Sequence, residues 1–246
     1  MNLGLDNKKA LVWGASQGIG YSIANSLIKE GVTVTIASRN EDKIKKAQDS
    51  LGAAHSMVVD LSQPDEARNS IASARNLMNG LDILIINTGG PQKNSFESVT
   101  NEQWFTDFQN LWLSTTDGIK EALPEMKKSK FGRIILVSSI ASREPLAGLT
   151  TSNGFRAGLA GLFKSISSEV ASSGVTLNIA CPGYTNTERI QNLNLEEETI
   201  KQLVPAGRLA EPEELADLVT FLSSERASYI TGQQISVDGG SQRGIY

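Results

Sequence analysis

The sequence predicts a doubly wound α/β fold on a seven-stranded parallel sheet, and three observations predict it. Seven short apolar runs, at residues 9–13, 32–38, 55–59, 82–87, 133–138, 176–180 and 234–237, alternate with stretches of helical period. That alternation implies βαβ units. Several runs are apolar on both faces, as in Ile83-Leu84-Ile85-Ile86 and Ile134-Ile135-Leu136-Val137, the pattern of parallel strands covered on both sides. No Pro/Gly/Ser-rich linker or charge block divides the 246 residues, so one domain over 1–246 is expected.

Each element follows in chain order. The first strand runs into Gly14-Ala15-Ser16-Gln17-Gly18-Ile19-Gly20. In the helix after it, Ile19, Ile23 and Leu27 share a face and Gly31 is placed to cap the end. The second strand ends at Ser38-Arg39. The third begins at His55 and ends before Asp60-Leu61, and the fourth closes on Asn87-Thr88-Gly89. A helix over 100–127 is expected, with one aromatic stripe of Trp104, Phe108 and Leu111 and another of Phe105, Trp112 and Ile119. One stripe covers the sheet and the other needs a second cover. The fifth strand ends at Ser138-Ser139. The helix near Ser152 carries Gly154, Gly158 and Gly161, which permit close helix contact. The sixth strand runs into Cys181-Pro182-Gly183. Pro212 suits the first turn of a helix with a Leu215, Leu218, Val219, Leu222 stripe, and 234–237 ends the sheet.

Composition narrows the function. Lys plus Arg is 23 and Asp plus Glu is 27, a formal charge of −4 that argues against nucleic acid or an anionic membrane as the main partner. One cysteine, Cys181, excludes an intrachain disulfide, and one histidine, His55, argues against a histidine-rich metal site or a Ser-His-Asp triad; no metal is expected. The first nine residues lack the apolar core of a signal peptide, and no apolar run approaches the ~20 residues that span a bilayer. A soluble cytoplasmic protein is expected.

The glycine turn is the strongest chemical signal. Glycines between a first strand and a first helix let the backbone approach a phosphate, and the helix N-terminus offers free N–H groups and a positive dipole end. In dinucleotide-binding folds an acidic residue about 20 positions past the glycines holds the ribose 2′-hydroxyl. Here Ser38-Arg39 occupies that place, and a cation attracts a 2′-phosphate. NADP (NADPH) is therefore favoured over NAD; a solvated strand-end arginine is the competing reading.

The G-x-x-x-G-x-G spacing resembles that of the short-chain dehydrogenase/reductase family, notably its 3-oxoacyl-ACP reductase-like members, and the likeness continues along nearly the whole chain. Ile86-Asn87-Thr88-Gly89 resembles the family's Asn-Asn-Ala-Gly segment, and Asn110 its helix asparagine. Gly132–Ser139 resembles the strand that ends at its catalytic serine. Pro182-Gly183 with Thr187 resembles its Pro-Gly loop, and Glu211-Pro212-Glu213-Glu214 and Val237-Asp238-Gly239-Gly240 its C-terminal signature. The resemblance implies a Rossmann-type fold and a dinucleotide site at Gly14, Ser16, Gln17, Gly18, Ile19, Gly20, Ser38, Arg39, Asp60, Leu61, Asn87, Thr88, Gly89, Arg156, Pro182, Gly183 and Thr187. It also implies a homodimer or homotetramer through the 100–127 helix and the helix after Ser152.

The catalytic positions depart from the family. Its Tyr-x-x-x-Lys is Ser152-Asn153-Gly154-Phe155-Arg156 here, with Ser152 thirteen residues past Ser139. A phenol near pKa 10 is within reach of tuning by a nearby cation, whereas an aliphatic hydroxyl is a far weaker acid and arginine cannot give up its proton. Ser139, Ser152, Arg156 and Asn110 are the candidate catalytic residues, with Tyr184 or water as other proton sources. Two readings stand. One is an NADP(H)-dependent oxidoreductase on a small-molecule carbonyl or alcohol with an atypical active site. The other is a dinucleotide-binding protein without redox activity, a sensor or subunit partner.

Overall fold

The expected parallel sheet forms, with all seven strands in the order β3-β2-β1-β4-β5-β6-β7. The computed structural model describes residues 1–245, so the expected domain end at 246 lies outside the described residues. The strands are β1 Lys9–Trp13, β2 Thr33–Ser38, β3 His55–Val58, β4 Ile83–Ile86, β5 Gly132–Val137, β6 Val175–Pro182 and β7 Gln234–Val237. Val12 of β1 pairs with Ile36 on one side and Ile85 on the other, so β2 and β4 leave β1 in opposite directions. That reversal opens a crevice at the C-terminal ends of β1 and β4, where ligands of open α/β sheets bind.

Two apolar layers sandwich the sheet. On one face α1 (Gly18–Lys29) and α9 (Pro212–Leu222) bury Ile23, Leu27, Leu215 and Val219 with Val12 and Ile36. On the other, α3 (Glu66–Met78), α5 (Ser114–Ser129) and α6 (Thr150–Val170) bury Ile71, Met126 and Phe163 with Leu84 and Leu136. Trp13, at the end of β1, is fully buried there, and its indole N–H donates to Ser70 Oγ at 3.1 Å. A Cβ on Gly118 of α5 would lie 2.5 Å from the Trp13 ring, so this bulky strand end is accommodated by a glycine a hundred residues on. Gly31, at φ +81°, supplies the left-handed residue that ends α1.

The expected continuous helix over 100–127 is corrected. α4 covers Asn101–Asp107, a π-helical turn covers Phe108–Leu113, and α5 then begins. The wider turn shifts the register, so the two aromatic stripes do not persist. Phe108 stacks on Trp112 at 6.3 Å, Leu111 and Ile119 are buried, and Phe105 stands out in solvent, 74% exposed. Inserted π turns escape a 3.6-residue period and often lie at functional sites. This one carries Asn110. The remaining helices are α2 (Glu41–Leu51), α7 (Glu188–Gln191) and α8 (Glu197–Leu203).

Candidate functional site

A cleft of about 500 Å³ opens at the crevice between β1 and β4. Its wall includes Gly14, Ser16 and Gln17 from the glycine turn, Ser38 and Arg39 from the end of β2, and Leu61 after β3. Asn87, Thr88 and Gly89 after β4 and Asn110 complete the predicted residues that line it. Gly18, Ile19, Gly20, Asp60, Ser139, Ser152, Arg156, Pro182, Gly183 and Thr187 do not line the cleft itself.

The glycine turn is built for close approach. Gly14 has φ +63°, and a Cβ there would lie 2.4 Å from the Asn87 carbonyl oxygen. A Cβ on Gly20 would lie 2.3 Å from the Gly14 carbonyl oxygen. Asn87 Nδ2 donates to that Gly14 carbonyl at 3.1 Å and ties the β4 loop to the turn. Gln17, at the N-cap of α1, makes no side-chain cap bond, and no acidic residue stands in the first turn. The opening N–H groups of α1 are thus left for an anion. Pro182 is buried at the end of β6, and Gly183 packs on the Asp238 backbone, where a Cβ would come within 2.7 Å. The loop that follows brings the Thr187 methyl to 3.3 Å from where a Gly18 Cβ would stand.

At the β2 end Ser38 lines the cleft, and its Oγ is buried with no hydrogen-bond partner among the described residues. Arg39 is exposed beside it. Burial works against the Asp60 carboxylate, but hydrogen bonds from Ser62 and the charge of Arg39 together hold its pKa below the usual value. The sequence reading missed Lys43, which also lines this end. Its signal was present. Asn40 caps α2 by accepting from Lys43 N at 2.9 Å, which sets Lys43 one turn past Arg39 at the cleft mouth. An orphaned hydroxyl, two cations and a cradle without room for a Cβ fit a dinucleotide that carries a 2′-phosphate.

The catalytic positions lie at the other end. Ser139 is half-buried, and its Oγ accepts from Ala141 N at 3.1 Å, leaving its hydroxyl proton free to donate. Ser152 is only 4% exposed, and its Oγ accepts from Arg156 Nε at 3.1 Å. Arg156 is buried and also donates from Nη2 to the Gly89 carbonyl at 2.7 Å and from Nη1 to Val137 O at 3.5 Å. Three of its five N–H groups are engaged, none by a carboxylate. Burial, with the charge of Arg189 adding, pushes its pKa down to about 10, well above neutrality, so it remains a buried cation at pH 7. Arg189 was also missed as a site residue. It reaches over the cleft and donates to Pro91 O at 3.0 Å. Asn110 Nδ2 points at Thr88 O, 3.5 Å away. Cys181 is buried in β6 with burial raising its pKa, and His55 lies at the far edge of the sheet on β3.

Among the described residues, no group of three or more His, Cys, Asp or Glu side chains is placed to hold a metal, and no helix is long and apolar enough to cross a membrane.

The chain has well-populated kin. A family model described as enoyl-(acyl carrier protein) reductase matches residues 14–242. The 3-oxoacyl-(acyl-carrier-protein) reductase FabG of Vibrio cholerae is 35% identical over 240 residues, covering 97% of this chain and 98% of its own. The NADPH-dependent reductase BacG of Bacillus subtilis is 34% identical, covering 98% and 100%. The crystal structure of L-sorbose reductase from Gluconobacter frateurii, complexed with NADPH and L-sorbose, superimposes with a TM-score of 0.95 at 28% identity, covering 100% of both chains.

Proposed function

The chain belongs to the short-chain dehydrogenase/reductase family, and from that premise we propose that it is an NADP(H)-dependent oxidoreductase acting on a small-molecule carbonyl or alcohol. The observation that carries the reading is the cleft itself. It joins a phosphate cradle flanked by Arg39 and Lys43 to the Gly89 wall, whose carbonyl accepts from the buried guanidinium of Arg156 behind it.

When bound, the reduced nicotinamide supplies a hydride to the substrate carbonyl carbon. The protein's own residues manage the charge that then develops on oxygen. Ser139 Oγ, with its proton unengaged, holds that oxygen. Arg156 supplies a fixed positive field from below Gly89, in a water-poor setting where such a charge counts for more than in solvent. Ser152 does not replace the tyrosine as acid. Its oxygen orients the guanidinium, and its burial keeps it from a substrate. The proton comes from water or from the half-buried Tyr184 beside the Pro-Gly loop. Asn110 and Asn87 fix the backbone of the β4 loop on which Arg156 bears, and Thr187 covers the cradle.

We further propose that the protein assembles as a homodimer or homotetramer through α4 and α6. Phe105 on α4 and Phe96 before it are 74% and 76% exposed, and on α6, which α4 meets through Trp104 and Phe155, Gly154 and Gly161 have no atom within 4 Å of where a Cβ would stand.

The test is NADPH oxidation over a panel of carbonyl compounds by the native protein and by the Ser152→Tyr/Arg156→Lys double variant. A general acid contributes about 10²–10⁴-fold. The native protein should therefore be slow on ordinary ketones, and the double variant faster by a factor in that range. Ser152→Tyr alone should not gain, because the ring would enter the volume that Arg156 fills. If NADPH binds while both proteins are inert on every carbonyl, the reductase reading fails and a dinucleotide-binding role without redox chemistry replaces it.

A further inference from the structure

A chain of polar contacts bridges the mouth of the cleft. Lys43 Nζ donates to Gln17 Oε1 at 2.8 Å, and Gln17 Nε2 donates to Glu188 Oε2 at 2.6 Å. Lys43 Nζ also lies 3.8 Å from the same Glu188 oxygen. The three residues come from different elements: α2, the glycine turn and α7. Arg39, Ser38 and Asn40 line the cleft beside Lys43. The clasp therefore stands where the second cation of a phosphate site is needed and fills it with a carboxylate of the protein itself.

Resting on the NADP(H) reading, we propose that Lys43 is a determinant of cofactor choice and that Glu188 is its internal competitor, displaced by the 2′-phosphate. Three features support the exchange. Gln17 carries no charge, so its part at the turn is to hold Lys43 over the cleft. Lys43 and Glu188 are 52% and 60% exposed, so their pairing is weak and readily traded for a dianionic phosphate. Glu41, on the same helix as Lys43, does not compete, because it is held by Lys45 at 2.6 Å and does not line the cleft. A cofactor without the phosphate leaves the clasp closed. One with it takes Lys43 and releases α7, whose Arg189 bridges the far side of the same cleft to Pro91. The phosphate is thereby coupled to the helix that borders the catalytic end.

Calorimetric titration of native, Lys43→Ala, Lys43→Arg and Glu188→Gln proteins with NADPH, NADH and 2′,5′-ADP tests this. Lys43→Ala should weaken NADPH and 2′,5′-ADP about tenfold and NADH less than about twofold, with Lys43→Arg restoring most of the loss. Glu188→Gln should tighten NADPH and 2′,5′-ADP by about threefold and leave NADH unchanged. Both side chains are exposed, and equal melting temperatures verify that the variants fold. Lys43→Ala weakening both dinucleotides alike, or Glu188→Gln leaving NADPH no tighter, overturns the inference while the reductase reading stands. A native protein that binds neither dinucleotide overturns both.

Discussion

The two ends of the cleft hold their cations in opposite ways. At the cofactor end, Arg39 and Lys43 are exposed, and Lys43 is tied by partners it can exchange. At the catalytic end, Arg156 is buried, with three neutral hydrogen-bond acceptors and no carboxylate. Exposed charges are screened and cheap to rearrange, so they suit discrimination between two ligands that differ by one phosphate. A buried charge is costly to keep and strong in its effect, so it suits stabilising charge that appears only during reaction. Burial pushes the Arg156 pKa down to about 10, so keeping the guanidinium charged at neutral pH works against folding. A buried charge of this kind, with no carboxylate among its described neighbours, is what the proposed oxyanion stabilisation needs.

The sharpest way to break the comparison is Arg156→Met. Removing a preorganised group that stabilises a developing oxyanion costs about 10²–10³ in turnover. The same change removes the buried charge and three hydrogen bonds, which offset each other, so stability should shift by less than about 2 kcal/mol. Single-turnover kinetics and a denaturant melt read the two quantities. A large loss of stability with little loss of turnover would mean that Arg156 is a strut for the 89–91 loop and not a source of field.

A smaller effect is expected at the other end. Arg39→Ala should reduce the preference for NADPH over NADH by about tenfold, the low end for a charge-assisted phosphate contact because the side chain is exposed. The preference should also weaken with salt, since the screening length is about 10 Å at 0.1 M. Turnover at saturating cofactor should not change. If Arg39→Ala lowers turnover as much as affinity, the two ends are not separable.

The same contrast governs what could be read from the chain. The seven strands, the glycine turn and Ser38-Arg39 were legible, because each depends on residues adjacent in sequence or on a period of apolar positions. Trp13 stands just before the first glycine. What accommodates it, Gly118, is distant in sequence and silent in any local pattern. Lys43 escaped because its role depends on meeting Glu188, far along the chain, although the Asn40 cap that aims it was local. The π turn at Phe108–Leu113 escaped because one widened turn leaves both flanking helices with ordinary periodicity. Ser152 and Arg156 were legible as departures, but their mutual hydrogen bond and burial, which recast the serine as an orienting group, were not.

The last test concerns where the two ends differ in their surroundings and not in their ligands. The catalytic end is roofed by α4, the π turn and α6, where Trp104 and Phe108 pack on Phe155 at 5.7 and 5.8 Å. Phe105, on the same α4, is 74% exposed. A second copy covering this face would bury Phe105 near the interface centre, where aromatic anchors dominate association. Phe105→Glu places a charge there, which an apolar interface would have to desolvate. The expected outcome in light scattering is a monomer at micromolar concentration, against a dimer or tetramer for the native chain. The cofactor end, on the far side of the sheet crevice, should be almost untouched, with NADPH affinity within about twofold by calorimetry. Turnover should fall further than affinity, because Asn110 sits in the π turn that directly follows α4. A native protein that is already monomeric refutes the assembly, and equal losses in affinity and turnover would show that the sheet transmits the change to both ends.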